Sequence, residues 1–227
     1  MGIAYNTSIV SDGIVFALDA ANTRSYAGSG ITAYSLTSNF LATLTNGVGF
    51  GTTGTNYFIF DGVDDNIPFT ILNYGTTLTI ETWANSRSFS SFGMIFGFSD
   101  YDVLIYLGAL GFNTGNGDHY GLTSTQVTNL GLLNQWKHYI FEMRSDVAYT
   151  NNKIYINGEM QSLSQILGGE SAGNRNFNSG NGRINCWLYD NNYFTPIDIS
   201  QFKIYNRALT QQEIKQNYNA TKKRYGL

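Results

Sequence analysis

The sequence predicts an all-β domain, a sandwich or a barrel, closed by one short C-terminal α-helix. Three observations predict it. Short strand-like runs alternate with Gly/Asn/Ser turns along the whole chain. The 15 Phe and 16 Tyr suit sheet faces, where aromatic rings pack well. The 25 Gly against 2 Pro imply many tight turns in a chain whose 227 residues fit one all-β domain. No interdomain linker and no internal repeat is visible, so residues 1–227 are read as a single domain.

Taken in order, the candidate strands are Ile14–Leu18, Asn56–Asp61, Thr77–Ala84, Phe92–Phe98, Val103–Leu107, Tyr120–Ser124 and Trp136–Met143. They continue with Lys153–Ile156, Glu159–Leu163, Gly182–Leu188 and Pro196–Tyr205. Residues 22–54 yield no clear strand. Asn157-Gly158 separates two of the strands and fits a two-residue type I′ turn, because both positions tolerate positive φ. Gly111–Gly121 and Gly168–Gly182 read as long surface loops suited to ligand contact. The helix spans about 211–219. Thr210 stands three residues before Glu213, the capping-box spacing, and Ile214 and Tyr218 follow at helical spacing. A basic tail, 220–227, ends the chain.

Charged residues make up only 13% of the chain, about half the usual share. The net charge of −3 argues against nucleic-acid binding. From Asp198 onward six basic residues face two acidic ones, so this segment carries +4 and the remainder −7. Such a segment is either a solvated helix face or a dock for an acidic neighbour. The single cysteine, Cys186, excludes an internal disulfide and reads as a small buried hydrophobe in a strand. No apolar run approaches the roughly 20 residues of a membrane helix, and no secretion signal is visible. The sequons at Asn6 and Asn219 are therefore read as accidental.

Three further stretches resemble a known family. Phe60-Asp-Gly-Val-Asp-Asp-Asn-Ile67 is similar to its Asp-rich strand end. Leu78-Thr-Ile-Glu-Thr-Trp83 is similar to a strand ending in Trp. Trp136-Lys-His-Tyr followed by Ile154-Tyr-Ile-Asn-Gly158 resembles its hairpin. With the closing strand and helix, they resemble LamG-like jelly-roll domains of the concanavalin A-like lectin/glucanase superfamily. The resemblance implies a two-sheet antiparallel jelly-roll sandwich. The opening, Asp12–Asn22 with Arg24-Ser-Tyr26, and the Tyr218-Asn-Ala-Thr221 to Tyr225-Gly226 close resemble the version in marine bacteriophage structural proteins. That version implies a virion accessory subunit: a capsid decoration, knob or tail appendage. Such a subunit is made in the host cytoplasm and displayed at the virion surface in many copies, touching other virion proteins and cell-surface glycans. A dedicated lectin-type module is the alternative.

The residues point away from an enzyme. Retaining glycosidases need two carboxylates about 5 Å apart, and none of the five Glu lies in the paired motif of the superfamily's glucanases. Glu81 has Trp83 where a second acid would stand. His138 reads as a packing or hydrogen-bonding residue. Asp61, Asp64 and Asp65 cluster at a strand end, where Asp either caps a turn or offers hard oxygens to calcium. The resemblance implies one structural calcium, held by Asp61, Asp65 and Asp198. Sugar sites join an aromatic platform to Asn, Asp and backbone groups. Trp187, Tyr189, Asp190, Asn191, Asn192 and Tyr193 offer that inventory in one loop. Tyr101 between Asp100 and Asp102 offers a second version, and Asn113–Tyr120 a third. Trp83 and Trp136 read as core.

Overall fold

Two antiparallel sheets face each other across a layer of aromatic side chains in the computed structural model. The structure describes residues 8–37, 40–89, 92–115, 117–171, 175–177 and 180–227, so Asn6 and Asn116 lie outside the described residues. One sheet has eight strands. It runs β14 (Glu159–Met160), β13 (Lys153–Ile156), β12 (Trp136–Arg144), β7 (Thr77–Ser86), β17 (Ile197–Tyr205), β5 (Tyr57–Phe60) and β4 (Gly49–Gly51). The eighth, β1 (Ile14–Asp19), pairs with the Gln201–Tyr205 half of β17, while β5 pairs with its Ile197–Ile199 half. The register of β17 shifts between Ile199 and Gln201, where its partner changes.

The second sheet runs β15 (Ser164–Leu167), β11 (His119–Leu122), β10 (Ala109–Asn113), β9 (Asp102–Tyr106), β8 (Gly93–Gly97), β16 (Asn181–Ile184) and β6 (Ile67–Thr70). A separate ribbon joins β2 (Thr32–Tyr34) to β3 (Leu41–Thr43). The two-sheet antiparallel sandwich and its C-terminal helix agree with the sequence reading.

Alternation decides what each strand buries. On β7, Leu78 and Ile80 enter the core, while Thr79, Glu81 and Trp83 face the other way. On β9, Val103 and Ile105 enter the core, while Asp102 and Leu104 face outward. Phe96 lies 5.8 Å from Phe202 and 5.7 Å from Phe141, tying the sheets together edge to face. Each such buried ring contributes about 1.5–3 kcal/mol.

The last helix, α2 (Gln211–Thr221), covers the outward face of β7 and passes into a 3₁₀ turn, Lys222–Tyr225. Its capping box is complete: Glu213 N donates to Thr210 Oγ1 at 3.3 Å and Thr210 N donates to Glu213 Oε2 at 2.8 Å. Under it Val10, Ile140, Tyr155, Tyr205, Leu209 and Ile214 form a second small core. Buried among them, Glu81 accepts from Lys203 Nζ at 2.8 Å, Asn217 Nδ2 at 2.6 Å and Tyr205 OH at 3.2 Å, and lies 3.2 Å from His138 Nε2. Burial works against the Glu81 charge, but the Lys203 ammonium and His138 hold its pKa below the ordinary carboxylate value.

Several expectations need correction. The basic tail is part of the fold. Arg224 forks onto Asp19 at 2.8 and 2.9 Å, and Tyr225 stacks on Trp83 with centroids 3.9 Å apart. Trp136 is half-buried at the edge of that stack, 5.3 Å from Tyr225 and 5.4 Å from Tyr57. Gly111–Gly121 is a hairpin of β10 and β11 rather than a long loop. Only Glu159 and Met160 of the expected Glu159–Leu163 strand pair. Ser124 begins a short helix, α1 (Ser124–Asn129), with its own capping box from Thr123 and Gln126. Cys186 is buried, but β16 ends before it, at Ile184. The Asn157-Gly158 turn has the expected positive φ at both positions, 53° and 83°. No described helix is long and apolar enough to cross a membrane.

Candidate functional site

The outward face of the seven-stranded sheet carries a pocket of about 140 Å³. Its floor is Met94 of β8, Asp102 and Leu104 of β9, and Asn113 of β10. Its walls are Phe92, Trp187 and Tyr193, with Gly115 and Gly117 on the hairpin side. Phe92 and Tyr193 meet edge to face at 4.7 Å, and Trp187 lies 6.2 Å from Tyr193.

The loop from Asn185 to Thr195 roofs this floor, and its anchors explain how it holds its shape. Asn185 N donates to Ile95 O at 2.9 Å, and its side-chain amide donates to Asp65 O at 3.1 Å. The Cys186 thiol stands inside the loop, 3.1 Å from Trp187 O and 3.2 Å from Asp190 O. Trp187 Nε1 donates to Ser99 O, fixing the indole. Met94 N donates to Tyr193 O at 2.7 Å. Tyr193 itself has φ of 69°, a left-handed conformation that a tyrosine adopts only under constraint.

Of the expected sugar-loop residues, Trp187 and Tyr193 line the pocket. Tyr189 is 64% exposed and lies 6.3 Å from Trp187, outside the lining. Asp190, Asn191 and Asn192 are exposed along the loop crest. Asn192 Nδ2 donates to Asp190 Oδ2 at 2.6 Å, and Arg183 donates to Asn191 Oδ1 at 3.0 Å. Tyr101 is corrected: it is fully buried, stacked on Phe177, with its hydroxyl bonded to Asn152 and to Arg144 O, so it offers no ring face. Phe92, Met94 and Leu104 were missed, and Asp102 was named only as a flank of Tyr101. The alternation around Val103 and Ile105 is the signal that places Asp102 on the outward face.

Asp102 is 1% exposed, and its Oδ1 has no hydrogen-bond partner among the described residues. Burial pushes its pKa well above the ordinary value, Asp100 and Asp118 push it further, and the Phe98 N–H opposes them. Gly97 makes room for it: a Cβ there would stand 2.5 Å from Asp102 Oδ1. Nearby, Asp118 Oδ1 accepts from Thr114 N and Thr114 Oγ1, both at 2.9 Å. Burial lowers the pKa of His119 to about 4, so this imidazole is neutral at physiological pH.

The acidic corner between β5 and β6 brings Asp61, Asp64 and Asp65 together, with one carboxylate oxygen of each within 4.8 Å of the others. Asp198 is not in that group; it is bonded to Arg87, whose guanidinium also donates to Phe60 O. Asp65 Oδ2 accepts from Asp61 N at 2.9 Å, and Asp61 Oδ1 accepts from Val63 N at 2.7 Å. Among the described residues, none of the three carboxylates is paired with Lys or Arg. Burial raises the pKa of Asp65, and the Asp61 and Asp64 charges add to the rise.

A larger concavity, about 530 Å³, lies between Phe89, Leu107 and Leu133. Its lining is mostly apolar and lacks the convergent amide and carboxyl groups of the first pocket.

The two packed antiparallel sheets with their C-terminal helix are the architecture of a concanavalin A-like jelly roll. The chain belongs to the concanavalin A-like lectin/glucanases superfamily, whose family model matches residues 51–215. No curated protein sequence matches it. Among solved structures it is similar to the receptor-binding domain of botulinum neurotoxin C/D mosaic serotype, at 15% identity and TM-score 0.63 over 92% of this chain and 51% of that one. It is similar to the botulinum neurotoxin serotype D ligand-binding domain in complex with N-acetylneuraminic acid, at 14% identity and TM-score 0.62 over 91% and 50%. It is also similar to Trypanosoma rangeli sialidase in complex with sialic acid, at 12% identity and TM-score 0.65 over 95% and 34%. The chain thus spans about half the length of the toxin domains it matches and about a third of the sialidase. These likenesses are likenesses of fold.

Proposed function

We propose that this protein binds carbohydrate in the pocket beneath the Trp187–Tyr193 loop and does not cleave it. The observation that carries the reading is the pairing of two aromatic walls, Trp187 and Tyr193, with a floor of Asn113 and Asp102. A sugar ring presents an apolar C–H face to an aromatic side chain while its hydroxyls seek amide and carboxyl partners. The restrained loop lowers the ordering cost of binding. Glu81, a buried glutamate 3.2 Å from His138, lies beneath α2 on the other sheet and has a structural account.

One calcium ion at Asp61, Asp64 and Asp65 belongs to the same reading, with Asp64 in the place expected for Asp198. Uncompensated hard oxygen donors suit that ion. It would neutralise the corner and brace Asp65, whose carbonyl holds Asn185 at the root of the sugar loop. The setting we infer is the bacteriophage virion surface, as a multi-copy accessory subunit contacting virion proteins and host glycans. It is supported by the resemblance of the opening and closing segments.

A glycan array probed with calcium and again with chelator tests the reading. Binding lost in Trp187→Ala supports it, and no binding in either condition rejects it. Co-purification with phage particles tests the setting, and a protein found only free in lysate rejects that.

A further inference from the structure

We infer that the pocket selects neutral, hydroxyl-rich sugars over anionic ones, with the Asp102 carboxyl as the group that reads a ligand hydroxyl. The inference rests on the carbohydrate reading above and names the ligand class of the same site.

Asp102 lines the pocket, is almost completely buried, and has an unpartnered Oδ1. The indole N–H of Trp187 and the side-chain amide of Asn113 already have structural bonds. Trp187 Nε1 is held by Ser99 O, and Asn113 uses Oδ1 for Gly115 N at 2.8 Å and Nδ2 for Asp118 O at 2.8 Å. A buried polar atom left without a partner is costly, and a ligand group that satisfies it recovers that cost. The groups acting on Asp102 across its surroundings are Asp100 before β9 and Asp118 on the hairpin beyond β10. Both are acidic, and among the described residues no lysine or arginine lines the pocket. Arg183, on β16, is turned to Asn191.

Burial and its acidic neighbours raise the Asp102 pKa well above the ordinary value, favouring the protonated carboxyl, which can both donate to and accept from a hydroxyl. A carboxylate-bearing sugar would bring a negative charge against Asp100 and Asp118 with no cation to receive it. In a low-dielectric floor that juxtaposition is strongly unfavourable. The pocket therefore differs in chemistry from one built for sialic acid.

The test uses the full chain and immobilised neutral glucan, galactan and mannan oligosaccharides, each also capped with N-acetylneuraminic acid. The parent is expected to bind at least one neutral oligosaccharide and to lose about tenfold when the cap fills the binding end. Asp102→Asn keeps a donor and an acceptor and is expected to bind within about threefold of the parent. Asp102→Leu, checked for folding by thermal melting, is expected to lose about tenfold or more. Preferential binding of the sialylated forms, abolished by Trp187→Ala, overturns this inference and leaves the carbohydrate reading standing. Equal binding by Asp102→Leu and the parent overturns it too. No oligosaccharide bound at all overturns both.

Discussion

Asn217 on the last helix donates its side-chain amide to Oε2 of Glu81, 136 residues earlier, at 2.6 Å. The same Asn217 accepts Val10 N at 2.8 Å, so one side chain joins the helix, the central strand and the start of the chain. Glu81 completes the cluster with Lys203, His138 and Tyr205. It is the fastening of the C-terminal helix to the sheet.

Glu81→Gln should therefore destabilise the fold by about 3–5 kcal/mol, because it leaves the buried Lys203 ammonium without its counter-charge. Urea unfolding at pH 7 measures this. The lowered pKa of Glu81 sets the sign with pH: its contribution is present above the ordinary glutamate value and disappears as the pH falls toward its native one. The parent-to-variant gap should narrow in acid. A gap independent of pH would show that Glu81 acts by packing alone.

Glu213 makes a milder version of the same prediction. The Arg207 hydrogen bonds hold its pKa down at about 2, against an ordinary 4.5. Its contribution is intact above about pH 4.5 and lost toward pH 2. Glu213→Gln should cost ~1 kcal/mol at pH 7, the scale of a lost cap, and flatten this part of the acid transition. Thermal melts from pH 2 to 7 check it.

At Asp102 the sign reverses. A raised native pKa means that stability is lost as the pH rises from the ordinary value of 3.8 through the native one. Asp102→Asn should raise the unfolding midpoint at pH 7 and converge with the parent below about pH 4. A destabilised variant at pH 7 would contradict the burial argument.

How much of this was legible follows from the size of the signals. Thr77–Ser86 and Ile197–Tyr205 are long enough for alternation to declare them. The three-residue strands β2, β3 and β4 are too short to fill a period. Helix α1 was hidden by the strand pattern of Tyr120–Leu122, although Thr123 and Gln126 repeat the spacing that revealed α2. Trp187 and Tyr193 were legible because one loop holds them. Asp102 and Phe92 join them only through sheet pairing and loop packing, which no local pattern records. Tyr101 misled because aromatic rings flanked by acids look alike whether wet or buried.

Trp187→Ala should abolish glycan binding with little loss of stability, since its indole is only half-buried and forms a wall. Tyr193→Gly separates binding from strain. Glycine adopts φ of 69° without penalty, so this variant should melt no lower than expected for losing a half-buried ring, yet bind more weakly. Binding measured alongside melting temperature decides both. Normal binding in both variants would place the ligand elsewhere.

If calcium occupies the acidic corner, adding it should raise the melting temperature, and Asp65→Ala should remove that response. No chelator effect on the parent rejects the site.

Among the described residues, β1 finds its strand partner only in β17, and Asp19 at its end is locked by Arg224, 205 residues away. Strand β1 must therefore wait for β17, which is made long after it. Throughout synthesis Ile14-Val-Phe-Ala-Leu18 is an apolar segment with an open edge, the kind of sequence that seeks other copies of itself. Completion by such distant pairing belongs to the slow, millisecond-to-second class of folding reactions. Yield in a cell should thus depend on how long β1 stays sheltered before β17 is made.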